Sequence, residues 1–339
     1  MAKKMTIATI AAEVGVSVPT VSKVLNGRPD VAVATRTRVE EALARHEYRK
    51  PVSAVDRNAP RRGRLLEVVA HAAYSAWAQE IMLGVSRVCA QNRIGLVLSE
   101  LGPEHTPPRE WMDDVLARRP IGVLFLHSSV SEAQRHHLTS RSIPFVVVDT
   151  DGQPPPGVPT VGANNWNGGL AATRHLIALG HRRIAVISGP SGVLCSRARV
   201  DGYRSAIEEA GLTLDPALVR WGDFYISGGH RHARELLQLP DRPTAIFAGS
   251  DYTALGVMRA AAELGLSVPG DLSVVGYDDL PITEWLNPAL TTVRQPLAEM
   301  SSHATHMLID LAEGRRPLST RVELMTDLVV RASTGPPPA

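Results

Sequence analysis

The stretch "GVSVPTVSKVLNG", Gly15 to Gly27, places small and singly charged residues between apolar ones that recur at helical spacing. Val21, Val24 and Leu25 point to one side. Val18, Pro19, Thr20, Ser22, Lys23 and Asn26 are left for the opposite face and its edges. Ser17 is the expected N-cap, Pro19 sits in the first turn where its missing N–H is harmless, and Gly27 ends the helix. Upstream, Thr6 is expected to cap a helix whose Ile7, Ile10, Ala11 and Val14 share a face, and Gly15 permits a left-handed turn into the second. Downstream, Thr35 is expected to open a third helix, with Val39, Ala42 and Leu43 inward and Arg36, Arg38 and Arg45 outward. Two short helices joined by a glycine turn, with a third behind, read as a helix-turn-helix whose second helix enters a DNA major groove. There Val18 and Pro19 suit thymine methyls and other apolar base edges. Ser17, Thr20, Ser22 and Asn26 suit phosphates or bases, Lys23 a phosphate or guanine, and Thr6 and Arg28 flank them.

Charge supports that reading. The net charge of the 339 residues is +2, but residues 1–64 carry 13 Lys and Arg against 6 Asp and Glu, while the remainder carries 23 against 28. A basic head on an acidic body is the pattern of a nucleic-acid-binding module joined to a second function. The start, "MAKKMTIATIAAEVG", lacks the apolar run of a signal peptide, and no stretch has the length of apolar sequence that a membrane span requires. Cys89 and Cys195 are too few for a disulfide framework. A cytoplasmic protein with no membrane partner is expected.

From Leu65 onward, apolar runs alternate with amphipathic ones. "LLEVVAH", "IGLVLS", "IGVLFLH" and "PFVVVD" read as buried parallel strands, separated by helical patterns such as "WAQEIMLGVSRVCAQN". After a crossover near Val161 the series repeats in "RIAVISG", "TAIFAGS" and "LSVVGYDD". Two such α/β units imply two doubly wound parallel-sheet lobes with a ligand cleft at the carboxyl ends of the strands. The expected organisation is a helix-turn-helix over 1–50, a basic linker over 51–64, a core over 65–333 and a tail over 334–339. Within the core, lobe 1 takes about 65–162 and 293–322, and lobe 2 about 163–292 and 323–333.

The head resembles the N-terminal domain of the LacI/GalR repressors over "TIATIAAEVGVSVPTVSKVLNGRPDVAVATRTRVEEALARHEY". The resemblance continues through "NNWNGGLAATRHLIALGHRRIAVISG", "SRARVDGYRSAIEEAGL", "AGSDYTALGVMRAAAELGLSVPGDLSVVGYDDL" and "LTTVRQP", and so spans nearly the whole chain. It implies that the second helix reads bases through Val18 and Pro19, and that the core is similar to periplasmic sugar-binding proteins. For the cleft it implies Arg199 as a donor of paired hydrogen bonds, Asp278 as an acceptor, and Phe224 as a stacking aromatic. His127, Asp149 and Gln295 are further candidates, Tyr74 and Trp77 are placed to close over a sugar face, and Asp251 follows Ser250, where relatives often carry Asn. The linker "RKPVSAVDRNAPRRGR" (49–64) departs from the family: Arg57 stands near the expected minor-groove leucine. Two roles are open to it, a hinge helix with Val55 as the wedge, or a basic arm whose Arg57, Arg61, Arg62 and Arg64 contact phosphates.

Signals for chemistry are weak. "SGPSG" (188–192) is a Gly/Pro turn rather than a nucleophile elbow, and neither a P-loop nor a dinucleotide fingerprint occurs. His230, His232, His303 and His306 lack Cys or carboxylate partners at zinc spacing, and Cys195 reads as a small apolar filler near the cleft. Adjacent Asp278 and Asp279 diverge in an extended segment, which argues against an acid/base pair. The expectation is a regulator without catalytic residues, cofactor or metal, most simply a repressor that binds double-stranded operator DNA as a homodimer and answers to a sugar or small oligosaccharide. The C-terminus "RASTGPPPA" carries no leucine heptad for a tetramer. A purine-type corepressor is the alternative within that class. A sugar-transport protein shares the body, but not the basic head.

Overall fold

The computed structural model describes residues 6–25, 31–46, 48, 64–71, 73–101, 109–127 and 130–338. The head is three helices, α1 (Ile7–Val14), α2 (Val18–Leu25) and α3 (Val33–Arg45). Thr6 caps α1, its hydroxyl accepting the Thr9 N–H at 3.3 Å. Gly15 then takes φ 69° and the chain bends by 108° into α2, a turn that a Cβ would strain. Ile10, Ala11, Val21, Val24, Leu25, Val39, Ala42 and Leu43 close one core with Val31, while Ile7 and Val14 border it. The third helix starts at Val33, two residues before the expected Thr35, with Ala32 as a cap that contributes no side-chain bond. Burial of Val39, Ala42 and Leu43, rather than a cap, holds that helix.

The body has two sheets. The first contains β1 (Leu65–His71), β2 (Gly95–Leu101), β3 (Gly122–Leu126), β4 (Phe145–Val148), β5 (Thr160–Ala163) and β11 (Arg321–Leu324), in the order β11-β5-β4-β3-β1-β2 and parallel throughout. The second contains β6 (Ile184–Ser188), β7 (Val219–Trp221), β8 (Ala245–Ala248), β9 (Ser273–Asp278), β10 (Thr291–Arg294) and β12 (Asp327–Val329). Its order is β12-β10-β9-β8-β6-β7, and only the short edge strand β12 runs antiparallel. Both sheets reverse their strand order beside their first strand, and at such a switch point the carboxyl ends of the strands splay to leave a crevice.

Helices cover both faces. In lobe 1, α4 (Ala76–Gln91) and α11 (Leu297–Ala312) pack on one face, and α5 (Arg109–Arg118) with α6 (Glu132–Ser140) on the other. In lobe 2, α7 (Asn165–Ala178) and α8 (Leu194–Glu209) lie opposite α9 (Ile226–Leu237) and α10 (Asp251–Glu263). The head rests against lobe 1, where Arg141 at the end of α6 approaches Glu40 of α3 to 3.5 Å. Inside lobe 1, Glu67 in β1 is fully buried and accepts from Ser99, Trp111 and Arg118.

The chain passes between lobes three times, two of them later than expected. Val293 and Arg294 belong to β10 in the second sheet, so the return to lobe 1 falls at Gln295–Pro296 rather than near 292. Leu324 still pairs with Ala163 in the first sheet, so the last passage follows it rather than Val322. Both shifts have one cause: these strands are short, and nothing in their composition separates them from the connections they adjoin. The tail also differs from expectation, because Thr334 bonds His175 and the Gly335 carbonyl accepts from the buried His181. Residues 334 and 335 are therefore part of lobe 2.

Candidate functional site

On the head, the described residues expected to face DNA are exposed at Ser17, Val18, Pro19 and Lys23 and half-buried at Thr20 and Ser22. Val18 is 39% exposed, and Ser17, Pro19 and Lys23 are exposed while Val21 and Val24 beneath them are fully buried. The Ser17 hydroxyl accepts the Thr20 N–H at 3.2 Å and lies 2.8 Å from the Thr20 hydroxyl. That bond satisfies a free N–H at the start of α2 and fixes the end of the helix that would approach a base. Thr6 is spent on capping α1. Asn26, Arg28, Arg57, Arg61 and Arg62 lie outside the described residues, as does Val55 with most of the linker. Arg64 pairs with Glu313 on lobe 1 at 3.3 Å.

Between the lobes is a cavity of about 340 Å3. It is built where the switch points predict, from the segments that leave the strand ends. Lobe 1 contributes Trp77 after β1, His127 after β3 and Asp149 after β4, and lobe 2 contributes Cys195 and Arg199 from α8, Phe224 after β7 and Asp278 at the end of β9. Of these, His127, Asp149, Phe224 and Asp278 hold positive φ angles of 44°, 55°, 67° and 111°. Side chains rarely adopt that conformation, which costs on the order of 1–2 kcal/mol each, so packing and hydrogen bonds around the cleft must enforce it.

Arg199 is the best-held of these groups. The residue is 3% exposed, and its guanidinium donates from Nε to Asn165 Oδ1 at 2.8 Å and from Nη1 to the Gly249 carbonyl and stands 3.9 Å from Asp278 Oδ1. It also stacks 3.7 Å from the Tyr277 ring centroid and 5.4 Å from that of Phe224. Burial pushes the Asp278 carboxyl up to about 7, against the pull of Arg199 and of Gln295, whose amide donates to Asp278 Oδ1 at 2.6 Å. Phe224 packs on Gly189 so closely that a Cβ there would fall 2.1 Å from the ring, which explains the glycine in "SGPSG".

Three expected ligand residues do not line the cavity. Gln295 is buried behind Asp278 and orients it. Asp251, the first residue of α10, accepts from Thr292 Oγ1 at 2.6 Å and the Leu280 N–H at 2.7 Å, which ties down the loop that carries Asp278. Burial, and next the charge of Asp278, hold the Asp251 carboxyl well above the usual carboxylate range. Tyr74 is 72% exposed just before the α4 cap, and Ser75 faces the cavity in its place. A one-residue error reverses direction where an extended chain meets a helix cap. Asp279 does diverge from Asp278, binding Arg294 and Arg331 instead.

Sequence reasoning missed several groups. Asp223, Tyr225 and Tyr252 line the cavity, and Asn165 holds Arg199 from behind. Ser250 lines it too, caps α10 and donates to the Phe224 carbonyl at 2.9 Å, which fixes the left-handed residue that carries the ring. Their only sequence signal is proximity to a strand end. The helix histidines find carboxylates in space: His230 lies 2.8 Å from Glu263 and His232 3.4 Å from Glu235. Among the described residues, no single helix is long and apolar enough to cross a membrane.

Comparison with known proteins accounts for both parts. Residues 6–50 match the model of bacterial regulatory proteins of the lacI family, and residues 173–334 match a periplasmic binding protein-like domain. The HTH-type transcriptional repressor PurR of Escherichia coli is 33% identical over 335 residues, 98% of each chain. A solved complex of the transcriptional regulator CelR with cellobiose superposes with a TM-score of 0.72 at 33% identity, over 97% of this chain and all of that one. The lac repressor dimer bound to operator superposes with a TM-score of 0.71 at 27% identity, over 98% of this chain and all of that one. With an outward-facing recognition helix at one end and a two-lobed cleft at the other, the chain belongs to the lacI family: it is a DNA-binding transcriptional regulator with a small-molecule sensor, not an enzyme.

Proposed function

We propose that the protein is a cytoplasmic repressor that binds a pseudo-palindromic operator as a two-fold dimer and is released by a neutral sugar or small oligosaccharide. The observation that carries the effector class is the lining of the cleft. Arg199 and two buried carboxylates, Asp149 and Asp278, are set among the aromatic faces of Trp77, Phe224 and Tyr252. Carboxylates and a guanidinium fix the directions of hydroxyl groups, and aromatic rings take the apolar faces of a pyranose. With Asp223 also in the lining, three carboxylates against one guanidinium disfavour a phosphorylated or carboxylated ligand. The structural neighbour in complex with cellobiose supports the same class.

DNA recognition falls to Ser17, Val18, Pro19, Thr20, Ser22 and Lys23 on the described face of α2, with phosphate contacts from the basic linker. Both lobes line the cavity, so a ligand that touches both changes the angle between them and thereby the spacing of the paired heads. Operator and effector are then linked by a coupling free energy that acts equally in both directions. A thermal-shift screen of mono- and disaccharides, purines and sugar phosphates tests this, because a ligand of the native state raises the melting temperature by mass action. The expected result is a neutral sugar that stabilises the protein and releases operator DNA. A purine that stabilises it and tightens operator binding would replace the inducer reading with a corepressor.

A further inference from the structure

The floor of the cleft brings together three side chains that polyol binding does not require as a set. His127 and Asp149 from lobe 1 and Cys195 from lobe 2 each present a nitrogen, oxygen or sulfur atom, and these atoms lie within 4.8 Å of one another. They are a borderline base, a hard anion and a soft thiol, and they come from opposite sides of the cavity. His127 and Asp149 reach this point through left-handed backbone at φ 44° and 55°. Cys195 is buried in the first turn of α8, where an apolar filler would need only an alanine or valine. Charge points the same way. The lining carries Asp149, Asp223 and Asp278 against Arg199, and that guanidinium is already engaged by Asn165 and the Gly249 carbonyl.

We propose that His127, Asp149 and Cys195 bind a thiophilic divalent cation of the zinc class across the cleft. Such ions take mixed imidazole, carboxylate and thiolate ligands, and three protein ligands with one open position is the arrangement of a site that also meets a small molecule. On binding, the Cys195 thiol gives its proton to solvent and the sulfur lone pair goes to the metal, without any change of oxidation state. Metal–ligand bonds of about 2.0–2.3 Å place the ligands of a tetrahedral ion roughly 3.5 Å apart. The trio, whose atoms lie within 4.8 Å of one another, is close enough to be drawn to that spacing by small side-chain shifts, and a bound ion would then tie lobe 2 to lobe 1 through Cys195. The fourth position faces the cavity, open to water or to an effector oxygen, and the site does not depend on the effector being a sugar.

Cobalt(II) titration of the full-length, chelator-stripped protein tests the assignment. One equivalent per chain is expected, with a sulfur-to-cobalt charge-transfer band in the near ultraviolet that zinc abolishes. Cys195→Ser should lose the band, His127→Asn should weaken binding at least tenfold, and a His230→Asn/His232→Asn variant should retain both band and stoichiometry. The only other cysteine, Cys89, is buried in the core of lobe 1 and has no place in the trio. Unfolding curves of the metal-free variants report whether each still folds, and His127→Asn decides the matter should Cys195→Ser fail to. Absence of the charge-transfer band at one equivalent, or full-strength binding in His127→Asn, overturns the proposal.

Discussion

The head and the cleft solve recognition in opposite ways. The face of α2 is exposed: Val18, Pro19 and Lys23 stand at the surface of a small helical module whose first turn is fixed by the Ser17–Thr20 bond. The cleft is buried and over-determined. Arg199 is held by two hydrogen bonds and two rings, Asp278 by Gln295, and Phe224 by Ser250 and Gly189. A partner as large as DNA supplies its own order through many phosphate contacts, whereas a small ligand cannot pay for the ordering of its site. The cleft must be organised beforehand, with its strain already built in.

That contrast predicts unequal penalties. The largest effect is expected from Arg199→Ala, which removes a desolvated donor and leaves Asp278 without its counter-charge. Effector affinity should fall at least ~100-fold, roughly 3 kcal/mol, while operator binding by the free protein persists. Isothermal titration together with operator binding measures both, and a variant that still responds to effector would remove Arg199 from the site. At Asp278 the effect follows pH. Its folded pKa is raised above the unfolded value, so the group favours folding at low pH and loses that contribution as pH rises from about 4 through 7. Asp278→Asn should therefore gain stability relative to wild type as pH rises through that window, as read from melting temperatures at several pH values.

On the exposed side, Val18→Ala should cost about 1–3 kcal/mol of discrimination at one base position and leave binding to random DNA alone. Lys23→Ala should weaken all sequences alike and reduce the salt slope by about 0.9. Binding isotherms on operator and scrambled DNA at several salt concentrations separate the two, and equal losses on both DNAs from the Val18 change would falsify its base-reading role. The smallest effect belongs to Tyr74→Ala. That side chain is outside the cavity, so effector affinity should change by less than about 0.5 kcal/mol, and a larger loss would return Tyr74 to the site.

The same contrast decides what was legible in the sequence. The head depends on contacts between residues near in the chain, so the spacing of Ile10, Val21, Val24 and Leu43 and the glycine at 15 carried its fold. The strands β1, β3, β4 and β9 were equally plain, since each is built on a largely buried apolar run. The strands β5, β7, β10, β11 and β12 have three or four residues each, without the continuous apolar run of β4, and owe their existence to neighbours far along the chain. The cleft was half legible. Motif positions located Arg199, Phe224 and Asp278. Whether a neighbour such as Asp251, Gln295 or Tyr74 faces the ligand or supports a residue that does depends on a single step of backbone direction, which composition does not encode. Asn165 was missed for the same reason: it acts through Arg199.

The repeated passage of the chain between lobes has a consequence for synthesis. Lobe 1 is incomplete until α11 and β11 emerge with residues 297–324, and lobe 2 waits for the segment from β12 to Gly335 that pairs with β10 and anchors on His181. Neither can close on a growing chain, whereas the head encloses its own core within residues 7–48 and is free to fold long before the ribosome finishes. Translation stopped early would thus release a DNA-reading module with no working sensor attached. Only the full-length chain joins recognition to control.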